Sequence, residues 1–120
     1  KTIAVVGLSA APGRPSYHVA KALQGFGYRI LPVNPAITEA LGEKAYPGLR
    51  DLPEPVDLVN VFRASRHVAG LVADCIALKL PALWLQDGVI DEAAALKARA
   101  AGLTVVMDRC IYRDYLQLIP

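Results

Sequence analysis

The chain has few residues of the types that build metal centres, disulfide frameworks or catalytic triads. Its 120 residues include two cysteines, Cys75 and Cys110, and two histidines, His18 and His67. The cysteines lie in unrelated contexts and no CxxC or HxxxH spacing occurs, so we predict neither a disulfide framework nor a metal site. Neither histidine has an evident carboxylate and nucleophile partner. We therefore predict no catalytic residue.

Long apolar runs and runs of like charge are also missing. No apolar stretch approaches the ~20 residues of a membrane-spanning helix, and no signal-peptide pattern is present. Thirteen Lys and Arg stand against eleven Asp and Glu along the whole length, a net charge of +2. This gives no basic tract of the kind that grips a nucleic-acid backbone. We expect a cytoplasmic protein that binds a small-molecule ligand and neither membrane nor nucleic acid; a protein partner stays open.

The residues that are present suit a buried core. Hydrophobic residues make up 54% of the chain and charged residues 20%, a composition typical of a folded protein and not of a disordered one. A length of 120 residues is about that of one domain. We expect a single domain over residues 1–120.

Short apolar runs alternate along the chain with segments of helical periodicity. Strands are predicted at 3–6, 28–33, 57–62, 81–85 and 103–107, and helices at 15–26, 65–76, 91–101 and 111–118. Ser65 is the expected N-cap of the second helix, and the polar connection 36–55 holds at most one short helix, near 37–41. The alternation predicts a three-layer, Rossmann-like α/β fold: a five-stranded, mostly parallel sheet in strand order 3-2-1-4-5, with helices on both faces.

The first strand, turn and helix form a unit that could bind an anion. The strand ends at Gly7, small residues follow, and Pro15 suits the first turn of a helix. The N-terminus of a helix offers unpaired N–H groups and the positive end of a dipole to a phosphate. The match to the dinucleotide fingerprint is partial, because Ser9 replaces the second glycine and Gly13 comes one residue late. A tight turn without a ligand is the alternative interpretation.

The residues at the other strand ends favour a ligand that carries more phosphate than NAD does. A carboxylate at the end of the second strand normally binds the ribose hydroxyls of NAD, but this chain has Val33, Asn34 and Pro35 there. Arg14 and Arg63 lie at two strand ends, and arginine can bind phosphate oxygens in bidentate fashion.

Five segments resemble the stand-alone CoA-binding proteins of bacteria and archaea, whose domain is similar to the N-terminal domain of the succinyl-CoA ligase α subunit. The segments are VGLSAAPGRPSYHVAKAL (6–23), GYRILPVNPA (27–36), LGEKAYPGLRDLPEPVDLVNVFR (41–63), LWLQDG (83–88) and AAGLTVVMDRCI (100–111). Together they cover essentially the whole chain.

The resemblance implies a Rossmann-like domain that binds coenzyme A at the strand ends. A first set of residues would hold phosphate: Gly7, Leu8, Ser9, Arg14, Pro15 and Ser16. A second set would line the nucleotide: Val33, Asn34, Pro35, Phe62 and Arg63. Gln86, in the segment after the fourth strand, would meet the pantetheine arm.

The resemblance does not imply ligase activity, because that chemistry uses a phosphorylated histidine in a second domain and further subunits that 120 residues cannot contain. We expect a protein that binds CoA or an acyl-CoA and catalyses no reaction of its own. Two alternatives stay open: a small NAD(P)-binding oxidoreductase, and an interaction module whose glycine turn is purely structural.

Overall fold

Strands and helices alternate along the chain in the computed structural model, which describes residues 1–118. The strands are β1 (Thr2–Val6), β2 (Arg29–Val33), β3 (Glu39–Ala40), β4 (Glu43–Lys44), β5 (Leu58–Val61), β6 (Ala82–Leu85) and β7 (Thr104–Val106). The α-helices are α1 (Pro15–Gly25), α2 (Val68–Ala77), α3 (Glu92–Ala100) and α4 (Ile111–Leu118). Two short 3-10 helices, Leu49–Asp51 and Ser65–His67, precede β5 and α2.

The main sheet has five parallel strands in the order β2-β1-β5-β6-β7. One face packs against α1 and α4 through a cluster that includes Ile3, Leu23 and Ile111. The other face packs against α2 and α3 through a cluster that includes Val72 and Ala95. The predicted class, a Rossmann-like α/β fold with helices on both faces, is confirmed.

The predicted strand order 3-2-1-4-5 is wrong in one position. The third main strand, β5, pairs with β1, with Ile3 opposite Leu58, and not with β2. The outer edge of β2 is occupied instead by Tyr46, which donates its N–H to Pro32 O at 2.9 Å and bridges to Val33. With Tyr46 on that edge and β5 on the far side of β1, the observed order is 2-1-3-4-5.

The predicted helix near 37–41 is replaced by a β-hairpin. β3 and β4 pair antiparallel around a turn at Leu41 and Gly42, whose φ angles are 53° and 77°. Positive φ at both central residues is the geometry of a tight two-residue hairpin turn. The apolar residues Ile37 and Leu41 pack against the α1–α4 cluster from this hairpin.

Ser65 does not cap α2, which begins three residues later at Val68. It starts a 3-10 turn, and its hydroxyl accepts a hydrogen bond from Ile90 N at 2.9 Å in the loop after β6. Cys75 belongs to the core and is fully buried on α2. Burial, with a smaller contribution from the charge of Asp74, raises the pKa of the Cys75 thiol to about 12.

Asn60 is an exception to the apolar core. It lies in β5, opposite Val5 of β1 and Trp84 of β6, and is fully buried. Neither polar atom of its amide has a hydrogen-bond partner among residues 1–118. A buried polar group without a partner lowers stability.

The helices α1 to α4 are eight to eleven residues long. Within residues 1–118, none has the length and apolar character needed to traverse a bilayer.

Candidate ligand-binding site

The carboxyl ends of β1, β2 and β5 meet at a topological switch point. From β1 the chain passes through α1 to β2 on one side, and from β5 it passes through α2 to β6 on the other. The two connections leave the sheet in opposite directions and open a crevice between them, which is where open α/β sheets bind ligands. The corrected strand order therefore still leaves β1 beside the crevice.

Gly7, directly after β1, allows the chain segments at this edge to approach closely. Its φ is +85°, and its N–H donates to Val33 O at 2.8 Å. A Cβ atom at this position would lie 3.0 Å from Arg63 Cδ and 3.3 Å from the Phe62 carbonyl carbon. Glycine thus makes room for the Arg63 side chain to lie across the end of β1.

The loop between Gly7 and α1 is held by serine hydroxyl groups. Ser16 is buried at the start of α1, and its Oγ accepts from Ser9 N at 3.0 Å. Ser9 Oγ in turn accepts from Ala11 N at 3.1 Å. Arg14 is the N-cap of α1, and its exposed side chain makes no capping bond. Pro15 follows as the first residue of α1, as predicted.

The first predicted set of residues is accordingly divided between the interior and the surface. Leu8 is fully buried against the α1–α4 cluster. Arg14 and Pro15 are exposed at the same end of α1. No acidic residue lies in the first turn of α1, so the charge there suits an anion.

Asn34 connects three segments at the end of β2. Its Nδ2 donates to Leu8 O at 3.0 Å, and its Oδ1 accepts from Ala36 N at 2.9 Å. Its backbone N–H donates to Tyr46 O at 2.8 Å. The side chain therefore fixes the first loop against the end of β2, a structural role that the sequence did not indicate.

A cleft of about 590 Å³ opens between the end of β2 and helix α2. Three of the predicted residues, Val33, Pro35 and Arg63, line it. The lining residues outside the predicted set are Val6, Pro47, Gly48, Leu49, His67, Gly70, Leu71, Ala73 and Asp74. The cleft combines apolar walls with a small number of charged groups, as ligand pockets commonly do.

Arg63 and His67 face each other in this cleft. Arg63 Nη2 lies 3.2 Å from His67 Nε2. Because a guanidinium group can only donate, this contact is a hydrogen bond in the form of His67 whose Nε2 carries no proton. Desolvation, followed by the charges of Arg63 and Arg66, lowers the pKa of His67 below its usual value. Both effects favour the neutral imidazole.

Asp74, on α2, is the carboxylate that lines the cleft. Its Oδ1 accepts from Arg50 Nε at 2.9 Å. This pair joins α2 to the 3-10 helix at Leu49–Asp51. The cleft thus has the cationic Arg63 at the sheet edge and, on the side of α2, the ion pair between Asp74 and Arg50.

The other nine predicted residues do not line the cleft, and Phe62 and Gln86 among them have contacts elsewhere. Phe62 packs against the α1–α4 cluster. Gln86 is 4% exposed, and its Oε1 accepts from Ile111 N at 3.0 Å at the start of α4. Asp87, next in the chain, forms two contacts of 2.9 and 3.0 Å with Arg113 Nη2. This loop fastens α4 to β6.

His67, Leu71 and Asp74 line the cleft without having been predicted as site residues. Their spacing of four and three positions places them on one face of a helix, which was a signal that the sequence contained. The spacing alone could not show that this face lines the cleft. That depends on the 3-10 turn at Ser65–His67 and on the position of β5 in the sheet. Within residues 1–118, no three His, Cys, Asp or Glu side chains cluster as metal ligands would.

Comparison with known proteins gives relatives of similar length and much longer ones. The Bacillus subtilis protein YneT is 47% identical over 111 residues, covering 92% of this chain and 82% of YneT. The structure of cell-free ID.343 from Thermus thermophilus superposes with a TM-score of 0.95 at 39% identity, covering 99% of this chain and 90% of that one.

The long relatives include acetate–CoA ligase (ADP-forming) II of Archaeoglobus fulgidus. It is 34% identical over 77 residues, which are 62% of this chain and 11% of the ligase. Residues 1–115 match the family described as CoA binding domain. The chain belongs to this CoA-binding domain family.

Proposed function

We propose that the chain binds coenzyme A or an acyl-CoA at the carboxyl edge of its sheet and catalyses no reaction itself. The nucleotide would occupy the cleft between β2 and α2, with phosphate groups near Arg63 and the loop Gly7–Ser16. The observation that carries the proposal is the placement of Arg63 against Gly7, at the mouth of a cleft, in a member of the CoA-binding domain family.

The size and lining of the cleft suit a nucleotide. Its volume of about 590 Å³ lies within the ~300–1,000 Å³ of typical ligand pockets. Val33 and Leu71 supply apolar surface for a flat base, and Arg63 supplies donors for phosphate oxygens. One arginine–phosphate contact is worth about 1.5–3 kcal/mol.

The end of β2 favours CoA over NAD. Val33, Asn34 and Pro35 stand where an NAD-binding chain has a carboxylate for the ribose hydroxyls. CoA carries a 3′-phosphate on its ribose, which a carboxylate at that position would repel. A neutral strand end beside Arg63 accommodates that additional charge.

We propose the absence of catalysis because the match covers only a small part of the length of the ligase. It matches 11% of the Archaeoglobus fulgidus ligase, so most of that enzyme has no counterpart in the match. Incubation of the protein with acetyl-CoA, followed by mass spectrometry of the nucleotide pool, should return acetyl-CoA unchanged. Formation of free CoA above a no-protein control would overturn this part of the proposal.

Calorimetric titration with CoA, NAD and NADP tests the binding proposal. We expect CoA to bind and both dinucleotides to bind at least tenfold more weakly. Arg63→Ala should weaken CoA binding about tenfold or more, because it removes a charge-assisted contact. The matched control is Arg66→Ala, three residues away, exposed and outside the cleft lining, which should change the affinity less than about twofold. Tight NAD binding without CoA binding would refute the proposal.

A further inference from the structure

The contact between Arg63 and His67 has a consequence for phosphate binding that the family assignment does not contain. The two residues are four positions apart in the sequence, and both line the cleft. Arg63 Nη2 and His67 Nε2 lie 3.2 Å apart. A neutral His67 with an unprotonated Nε2 offers Arg63 an acceptor across this contact. Protonation of that atom would remove the acceptor and place a second cation beside Arg63.

The charges around His67 come from three elements. Arg63 and Arg66 lie on its own segment, at the end of β5 and in the 3-10 turn. Asp74 of α2 lines the same cleft, and Arg50 of the preceding 3-10 helix pairs with it through a 2.9 Å bond. Since Asp74 already has a cationic partner, the environment of His67 is dominated by positive charge.

We propose that His67 positions Arg63 in its neutral form and, once protonated, acts as a second cation toward the ligand's phosphate groups, so that affinity for a phosphate-bearing ligand rises as pH falls. This inference rests on the proposed function. His67 is a positioning residue of the proposed CoA site, and its protonation gives that site a pH dependence.

In its neutral state, His67 offers one acceptor, Nε2, which orients the guanidinium group of Arg63. Arg63 has five N–H donors, and the bond to His67 engages one nitrogen while the others stay available to phosphate. In the protonated state the two cations repel each other unless an anion lies between them. A bound phosphate therefore stabilises the protonated imidazole.

The sign of the pH dependence follows from linkage. In the ligand-free protein the pKa of His67 is lowered, first by desolvation and then by Arg63 and Arg66. A phosphate nearby raises that pKa again, so binding takes up a proton. Ligand and proton must then each strengthen the binding of the other by the same factor. The rise in affinity accordingly appears as pH falls through the pKa of the complex.

The experiment requires a ligand that does not itself titrate in this range. The 3′-phosphate of CoA is a monoester, whose second pKa lies near ~6, so the probe is CoA without its 3′-phosphate. Calorimetry from pH 8 to 5.5 compares the wild type, His67→Gln, His67→Ala and His18→Gln. His18 is the matched control, because it is exposed on α1 and packs against Tyr112 outside the cleft.

The wild type and His18→Gln should bind the probe about fivefold more tightly at pH 5.5 than at pH 8, the gain expected from one added charge at contact distance in water. His67→Gln has an acceptor and cannot gain a proton, so its affinity should stay flat over this range. His67→Ala lacks the acceptor as well and should bind more weakly than His67→Gln at pH 8.

Equal pH profiles for the wild type and His67→Gln would overturn the inference while leaving CoA binding intact. Failure of every variant, including the wild type, to bind the probe or CoA would overturn the proposed function, and the inference with it. A nitrogen NMR titration of the ligand-free protein examines the contact directly: an unprotonated His67 Nε2 at pH 7.5 supports it, and a protonated Nε2 refutes it.

Discussion

Gly7 is the residue on which the geometry of the site depends most directly. Its positive φ and its distance from Arg63 both require the absence of a side chain. The sequence identified Gly7 from its place after an apolar strand. It could not identify the neighbour that makes the glycine necessary, because Arg63 reaches it only through the pairing of β1 with β5.

Gly7→Ala should lower both stability and ligand affinity. The added Cβ would lie 3.0 Å from Arg63 Cδ, and an L-residue at this φ costs about 1–2 kcal/mol. We expect that loss in the free energy of unfolding, measured by urea denaturation, and a roughly tenfold weaker affinity for CoA as Arg63 is displaced.

The matched control is Gly13→Ala in the same loop, where an added Cβ has open space. Its stability should stay within about 0.5 kcal/mol of the wild type. Equal losses in the two variants would show that the loop tolerates no side chain anywhere, and that the contact with Arg63 is not the cause.

At the scale of elements, the loop between β6 and α3 fastens α4 to the sheet. Gln86 is predicted to contact the pantetheine arm, and in the structure its side-chain Oε1 accepts a hydrogen bond from Ile111 N at the start of α4. Sequence patterns located β6 and α4 correctly. They could not predict this cap, because it joins residues 25 positions apart.

Gln86→Leu should destabilise α4. The substitution leaves the buried Ile111 N–H without its acceptor, which costs about 1–2 kcal/mol. Asp87→Ala is the comparison, since it breaks the exposed pair with Arg113 and should cost less than about 1 kcal/mol. Urea denaturation measures both.

A CoA titration of Gln86→Leu examines the remaining prediction for this residue. Loss of affinity together with stability would support contact with the ligand, whereas loss of stability alone would assign Gln86 to the fold only. A Gln86→Leu protein as stable as the wild type would contradict the capping role.

At the scale of the whole molecule, the sequence predicted the fold class and missed the path of one connection. Apolar runs and helical periodicity are local signals, so the main strands and helices were predicted close to their observed positions. The order of the strands depends on whether β5 pairs with β1, as observed, or with the outer edge of β2, where Tyr46 bridges to Val33. Such a contact between distant segments leaves no periodic pattern. The same reason explains why Arg63 was predicted at the site and its partner His67 was not.

The buried side chain of Asn60 affects the stability of the entire protein. Both polar atoms of its amide lack a partner among residues 1–118, and its place two residues after Leu58 puts it on the sheet face covered by α1 and α4. Small domains are stable by only about 5–15 kcal/mol, so one unpaired buried amide is a considerable fraction of the total.

Asn60→Leu should therefore make the protein more stable, because leucine has a similar shape and no polar atoms to desolvate. We expect the free energy of unfolding to rise by about 1–3 kcal/mol, seen in urea denaturation as a higher midpoint at unchanged slope. The contrasting variant is Asn34→Leu, which removes the bonds to Leu8 and Ala36 and should lower stability. A fall in stability for Asn60→Leu would show that the buried amide has a partner in solution, which would make Asn60 a structural polar contact at the centre of the sheet and not a source of instability.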